Sequence, residues 1–279
     1  MKISDIQKLK KSSSKFATIT AYDFPTAKII NELDIPLVLV GDSASMVVYG
    51  YKDTTHIEMN EMLLIAKAVK RGIKKALVVG DMPFMSYQPS VEIAVKNAGR
   101  FIKEASLDAV KLEGGVEYVE QIKEIIKAGI PVMGHIGLKP QSVLADSGYK
   151  IHGKTFEDAI KIFEDAITLE KAGVFAIVLE GVPEELARLI TNTIKIPTVG
   201  IGAGGFCDGQ IQVLHDLIGL YGIDVPKHAK SYLNLKNVIR ESLNQYKKDV
   251  KNGDFPSNKH IYKMDKSVLK KLKGAIENY

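Results

Sequence analysis

The sequence predicts a (β/α)8 TIM barrel with additional helices at its C-terminal end, and three observations carry that reading. Short, almost continuously apolar runs alternate about eight times with longer amphipathic segments, as parallel strands covered on both faces should. The chain has 279 residues, the usual size for one such barrel. The turn after the first run reads Ala21-Tyr22-Asp23-Phe24, without the glycines that usually open a doubly wound sheet.

Taken in order, the strands are expected at residues 16–20, 37–40, 76–79, 109–112, 131–133, 175–179, 198–200 and 212–216. Pro36, Pro131 and Pro197 stand at or just before three of these runs, where a missing N–H is tolerated. Between them lie helical patterns. In 155–173, Phe156, Ile160, Phe163 and Ile167 fall on one stripe expected to face the core, and Gly173 is placed to end the helix. In 60–72, Met62, Leu63, Ala66 and Val69 form a similar stripe, with Asn60 as the expected N-cap and Gly72 closing the segment. The whole of 1–279 reads as a single barrel domain. Residues after about 232 form a charged helical tail, with a loop at 252–259, expected outside the barrel or against a neighbouring subunit.

Composition narrows the function classes. Apolar residues make up 46% and charged residues 25%, as in an ordinary globular enzyme. The net charge of +5 suits attraction of anionic small molecules, and equally suits surface lysines spread along the chain for solubility. No basic stripe is interleaved with aromatics, so a nucleic-acid partner is not expected. Cys207 is the only cysteine, which rules out an internal disulfide or a cysteine cluster and fits a reducing cytoplasm. The Lys-rich stretch 1–15 lacks the apolar segment of a signal peptide, and no run approaches the roughly 20 apolar residues that span a bilayer.

The chemistry concentrates at the C-terminal ends of the expected strands, which in a barrel converge on one mouth. Tyr22 and Asp23, Asp42 and Ser43, Asp81, Lys111 and Glu113, His135, Glu180, and His215 with Asp216 all sit there. Asp42, Asp81 and Glu113 come from successive strands. In a partly buried cleft they would repel one another unless a cation neutralised them, and oxygen-only ligands suit Mg²⁺. Any one of these acids would serve equally as a helix cap or an ion-pair partner; three in succession point to metal. Lys111 lies two residues before Glu113 and so on the same strand face, suited to a substrate carboxylate or to a structural ion pair. Glu180 follows four apolar residues, which suits a general base and also a capping carboxylate. A lone histidine such as His135 is more often a hydrogen-bonded core group than a catalyst. The glycine-rich loop 200–205 is compatible with phosphate binding or with close backbone approach.

From about Phe16 to about Gly219 the chain resembles the ketopantoate hydroxymethyltransferase family. The strings that carry the resemblance are Thr20-Ala21-Tyr22-Asp23, Gly41-Asp42-Ser43, Asp81-Met82-Pro83-Phe84-Met85, Lys111-Leu112-Glu113-Gly114-Gly115, Gly134-His135-Ile136-Gly137-Leu138, Pro140-Gln141-Ser142, Leu179-Glu180-Gly181-Val182-Pro183 and Gly200-Ile201-Gly202-Ala203-Gly204. The resemblance implies that Asp42, Asp81 and Glu113 surround Mg²⁺, partly through water. It implies that Asp42, Ser43, Asp81 and Lys111 contact a 2-oxo acid and that Glu180 accepts its proton. It further implies 3-methyl-2-oxobutanoate and methylene-tetrahydrofolate as substrates, 2-dehydropantoate on the way to pantothenate and coenzyme A as product, a cytoplasmic location, and a large homo-oligomer, often a decamer. Two departures stand out. Thr54-Thr55-His56-Ile57-Glu58 replaces a Thr-Leu-Pro-Val-Thr-like stretch in the loop after strand two, and Gly181 stands where many members have Cys. The alternatives are a Mg²⁺-dependent C–C lyase or mutase acting on a 2-oxo or 2-hydroxy acid, and a barrel that only binds. The lyases use a Cys in a Lys-Lys-Cys-Gly-His-like loop that this sequence lacks, and a mere scaffold needs no intact acid set.

Overall fold

The structure, a computed structural model, describes all residues of the chain except 13, 222–226, 278 and 279. It divides the chain into two compact units, Met1–Leu233 and Asn234–Tyr279. The first holds eight strands: β1 (Phe16–Thr20), β2 (Leu37–Val40), β3 (Leu77–Asp81), β4 (Ala109–Glu113), β5 (Val132–Gly137), β6 (Ala176–Glu180), β7 (Thr198–Ile201) and β8 (Gly209–Gln212). They pair in parallel in sequence order, and β8 closes on β1. The helices of this unit are α1 (Ile3–Lys8), α2 (Phe24–Glu32), α3 (Ala44–Val47), α4 (Met59–Gly72), α5 (Val91–Ala105), α6 (Val119–Lys127), α7 (Phe156–Ala172), α8 (Glu184–Thr193) and α9 (Leu214–Leu217). The second unit holds α10 (Leu235–Asn252) and α11 (Lys266–Ile276), neither with a buried residue. Asn234 caps α10 by accepting from Asn237 N at 3.2 Å, and Tyr246 meets Phe255 edge-on at 5.6 Å.

Strand alternation sorts the core into two layers. Leu37, Leu39, Leu77, Val79, Ala109, Met133, Ala176, Val178, Val199 and Ile211 form one buried cluster inside the barrel. Val38, Val40, Val78, Val110, Leu112, Val132, Ile136, Ile177 and Leu179 belong to the outer cluster shared with the helices. The N-terminal helix closes the inner cluster: Ile6 of α1 is fully buried in it, beside Phe16, with Ile3 and Leu9 packed against it. Below it, Lys10 Nζ pairs with Asp208 Oδ2 at 3.0 Å, and Asp208 accepts from Thr198 N at 2.8 Å, tying the chain start to the β7–β8 connection.

Three expectations shift. The eighth strand is 209–212, and 214–217 is a short helix whose first N–H, from Leu214, is bound by Thr20 Oγ1 at 2.9 Å. Gly209-Gln210-Ile211-Gln212 sends only Ile211 into the inner cluster and leaves both glutamines half-buried, so its hydropathy signal is weak. In α7 the period was right and the phase wrong. Ile162, Ala166, Leu169 and Ala172 face the core, while Phe156 is 77% and Ile160 39% exposed, and Phe163 and Ile167 are only partly buried. The small alanines let the helix approach the sheet, and Leu169 sits over Gly134, where a Cβ would lie 2.8 Å from its Cδ1. Helix α4 starts at Met59: Glu58 is the N-cap, and its N–H is bound by Glu61 Oε2 at 2.9 Å. Asn60 instead accepts from Arg100 Nη2 at 2.8 Å. Gly173 ends α7 as expected, at φ +99, and Thr155 is its N-cap.

Because Ile6 fills the closed end of the barrel, Ile6→Ala should cost about 2–5 kcal/mol. Urea unfolding would measure it, and a loss below about 1 kcal/mol would mean that α1 does not seal the interior.

Candidate active site

At the opposite end of the cylinder the inward positions change character. Asp81 ends β3, Lys111 and Glu113 lie two apart on β4, His135 lies on β5, and Glu180 ends β6. Register places Asp81 beside Lys111 and Glu113 beside His135. Gly137 adopts φ +95, and a Cβ there would lie 2.3 Å from the Glu180 carbonyl oxygen. Only glycine therefore lets β5 end close against Glu180, whose carbonyl accepts from Leu138 N at 2.7 Å.

These side chains and the loops above them line a cavity of about 430 Å³. Asp42, Ser43, Asp81, Lys111, Glu113, His135 and Glu180 all face it, with Leu39, Val47, Val178, Ile201 and Ile211 as an apolar wall. Lys111 Nζ donates to Asp81 Oδ1 at 2.6 Å and lies 4.0 Å from Glu113 Oε1. Asp81 Oδ2 accepts from Asp42 N at 3.3 Å. His135 stands between two glutamates, Nδ1 3.5 Å from Glu113 Oε1 and Nε2 3.3 Å from Glu180 Oε2. The Glu180 side chain keeps 18% exposure against 2% for Glu113, so Glu180 is the more accessible of the two acids. The Ser43 hydroxyl is held 2.8 Å from the Tyr22 hydroxyl.

The electrostatics are unbalanced. Burial, then the charges of Asp81 and Glu113, push Asp42 well above the usual carboxylate range. Burial also raises Asp81, although Lys111 pulls it back. Burial acts on Glu113 as well, but His135, Lys111 and the Gln141 N–H together hold it below its ordinary value. Burial and Lys111 both oppose charge on His135, yet Glu113 and Glu180 raise it to about 9. Burial favours neutral Lys111 too, and the charges of Asp81, Glu113 and Asp42 overcome it, so its pKa is raised. Four carboxylates thus face one lysine and one histidine. Among the described residues, no three His, Cys, Asp or Glu side chains already converge on one ligating point. Asp42, Asp81 and Glu113 share the cavity without forming a closed cage, and Glu113 Oε1 is buried with no hydrogen-bond partner.

Over residues 1–258 the chain matches the ketopantoate hydroxymethyltransferase family. It belongs to that family. It is 54% identical over 269 residues to the 3-methyl-2-oxobutanoate hydroxymethyltransferase of Clostridium kluyveri, covering 96% of each chain. It is 51% identical over 274 residues to the same-named protein of Dehalococcoides mccartyi, covering 98% of each. It is therefore an enzyme of a transferase family. Its barrel also superposes on 2,3-dimethylmalate lyase, a member of the PEP mutase/isocitrate lyase superfamily. There the TM-score is 0.58 with 14% identity, covering 99% of this chain and 95% of that one, a likeness of fold.

In this hydroxymethyltransferase-family chain the mouth differs from the sequence reading in detail. Asp23 serves as the N-cap of α2, its Oδ1 accepting from Thr26 N at 2.8 Å. With β8 ending at Gln212, His215 packs edge-on against Tyr22 at 5.2 Å, while Asp216 lines the cavity. In the variant loop after β2 it is Thr54 that faces the cavity. In the glycine-rich loop the Gly205 N–H is taken by Glu184 Oε1 at 2.9 Å, leaving that amide no role in binding phosphate. Sequence reasoning gave no role to Gln141 and Tyr87, both buried and hydrogen-bonded to the cluster, or to Tyr149, His228 and Tyr221, which line the cavity. No helix among the described residues is long and apolar enough to cross a membrane.

Removing the lysine should expose the imbalance. Lys111→Met leaves Asp81 without its 2.6 Å partner and should cost about 3–5 kcal/mol in urea unfolding without divalent ions. A loss below about 1 kcal/mol would show that the surrounding acids do not depend on its charge.

Proposed function

We propose that this enzyme transfers a hydroxymethyl group from methylene-tetrahydrofolate to 3-methyl-2-oxobutanoate, giving 2-dehydropantoate at the first step of pantothenate synthesis. The observation that carries the reading is the under-compensated acid cluster sharing one cavity with the more exposed Glu180, in a chain about half identical to relatives of that name.

The donor set fits Mg²⁺. All the acids are oxygen donors, burial and neighbouring carboxylates raise Asp42 and Asp81, and Glu113 Oε1 is buried with no close donor, His135 Nδ1 lying 3.5 Å away. Asp42, Asp81 and Glu113 would hold the ion, in part through water. Bound there, Mg²⁺ supplies positive charge where the substrate's keto oxygen gains electron density. Lys111 has three donors, so it can keep Asp81 and still oppose the substrate carboxylate. Ser43, its hydroxyl fixed by Tyr22, offers a further polar contact, and Val178, Ile201 and Ile211 receive the isopropyl group. Glu180 removes the C3 proton, with the His135 cation orienting it at 3.3 Å. The C3 carbon bonds to the donor's methylene carbon as the two bonds from that carbon to the folate nitrogens break; water supplies the hydroxyl, and the C3 proton and water's remaining proton end on those two nitrogens of tetrahydrofolate. A cavity of about 430 Å³ exceeds what a five-carbon acid fills, leaving room for the reactive end of the donor.

The lyase alternative lacks its thiol. Cys207 is fully buried behind β7, with Sγ 3.0 Å from where a Gly200 Cβ would stand, and it does not line the cavity.

Glu180→Gln should still bind 3-methyl-2-oxobutanoate but lose C3 proton exchange with D₂O by about 10²–10⁴-fold. Full exchange in that variant, followed by NMR, would remove Glu180 from the base role. Burial and the charges of Asp81 and Glu113 make Asp42 hold a proton more tightly than a free carboxyl, and a divalent cation must compete with that proton. Mg²⁺ affinity should therefore rise with pH and weaken on acidification. Calorimetry across a pH series checks this, and an affinity flat with pH would argue against these acids as ligands.

A further inference from the structure

We propose that Gln141 is the positioning residue that decides which oxygens of Asp42 and Glu113 remain available to a divalent cation. The inference rests on the Mg²⁺ reading above and assigns a role to a residue that touches neither substrate nor ion.

Gln141 lies in a 3₁₀ turn, Pro140–Ser142, just after β5, and it is buried. All four hydrogen-bonding positions of its amide have a partner within reach, one of them the Tyr87 hydroxyl, whose single proton the Glu113 carbonyl also faces. Nε2 donates to Asp42 Oδ2 at 2.8 Å and to the Met82 carbonyl at 2.9 Å. Oε1 accepts from the Tyr87 hydroxyl at 3.0 Å and from Gln88 Nε2 at 3.1 Å. The backbone N–H of the same residue donates to Glu113 Oε2 at 3.0 Å. One residue from the β5 loop thus binds the tops of β2, β3 and β4 together.

The amide can point only one way. Turned over, its oxygen would face a carboxylate and a carbonyl, neither of which donates, and its NH₂ would face Gln88 Nε2, which does not accept. Tyr87 strengthens the arrangement: its oxygen accepts from Glu113 N at 3.2 Å, and its single proton is directed toward Gln141 Oε1 or the Glu113 carbonyl, each 3.0 Å away. The consequence is selective. One oxygen of Asp42 and one of Glu113 are pinned by the same residue. Asp42 Oδ1 and Glu113 Oε1 remain, the latter with only the longer 3.5 Å approach of His135 Nδ1, while Asp81 has both oxygens engaged by Lys111 and Asp42 N. Without these fixed donors, neighbouring carboxylates in a low-dielectric pocket would turn to share a proton or compete for Lys111.

The test is Mg²⁺ titration calorimetry on the full chain without oxo acid, with the metal-free Tm measured in parallel. Gln141→Met keeps length and volume but removes all four amide bonds. It should weaken Mg²⁺ binding by about 10–100-fold, the usual cost of losing a group that orients a ligand. Gln88→Met removes one bond to the same amide and loosens the same turn, and it should change Mg²⁺ affinity by less than about twofold. Unchanged affinity in Gln141→Met overturns the proposal even if its Tm falls, and so does equal weakening in both variants in step with Tm. Should Gln141→Met not fold, Tyr87→Phe carries the test, with a weakening of about threefold or more expected and unchanged affinity overturning it. A parent chain that binds no Mg²⁺ would remove the metal reading itself; a parent that binds while Gln141→Met matches it removes this inference alone.

Discussion

The structure depends on one constraint: the inside of a closed eight-stranded cylinder must be filled by alternate side chains of every strand, and this chain fills the two ends with opposite chemistry. Ile6, Phe16, Leu37 and Leu77 occupy one end, and Asp81, Lys111, Glu113, His135 and Glu180 the other. Apolar packing below supplies the stability that lets the upper layer be electrostatically costly. Because inward positions recur every second residue, Lys111 and Glu113 are obliged to point into the same space, and parallel register then delivers Asp81 and His135 beside them. The site is therefore a property of the barrel's interior as much as of its loops.

Within that layer the pairings are unequal, and the inequality says where chemistry belongs. Lys111 is committed to Asp81 at 2.6 Å, and His135 is shared between two glutamates at 3.3 and 3.5 Å. Asp42 has no cation of its own; its ordered donor is the neutral amide of Gln141. A neutral donor stabilises a carboxylate less than a full charge does, and it leaves burial and the charges of Asp81 and Glu113 free to push Asp42 well above the usual carboxylate range. Buried acids left under-compensated in a cavity mark functional sites rather than structural ion pairs.

Much of this was legible in the residues, and what was missed has a physical cause. Apolar runs bounded by turns revealed seven of the strands within two residues or so of their starts, because strands buried on both faces cannot hide their composition. The spacing of Lys111 and Glu113 announced a shared face before any coordinates. The eighth strand escaped because two of its four residues are glutamines, whose amides donate to the carbonyls of Gly204 and His228. In α7 two apolar stripes compete, and the choice fell to Ala166 and Ala172, whose smallness brings the helix onto Gly134; hydropathy alone favours the bulkier stripe. Gln141 appeared in the sequence only within the string Pro140-Gln141-Ser142, with no role attached. Its importance lies in five hydrogen bonds to residues from 28 to 99 positions away in the chain, together with near neighbours brought in by the fold. No local pattern records such a hub.

The comparison with lyases of the same fold turns on the same logic. A barrel supplies a rim, and the rim's contents decide the reaction. A thiol at the mouth would offer a nucleophile, whereas a partly exposed carboxylate offers a base. In this chain the thiol is withdrawn: Cys207 packs behind β7, where burial pushes its pKa up and away from the reactive thiolate. The carboxylate is presented: Glu180 ends β6 with its side chain partly open to the cavity, backed by a histidine cation and held close by a glycine at Gly137. With the thiol buried and Glu180 partly open on the same scaffold, the reactive group this mouth presents is a carboxylate.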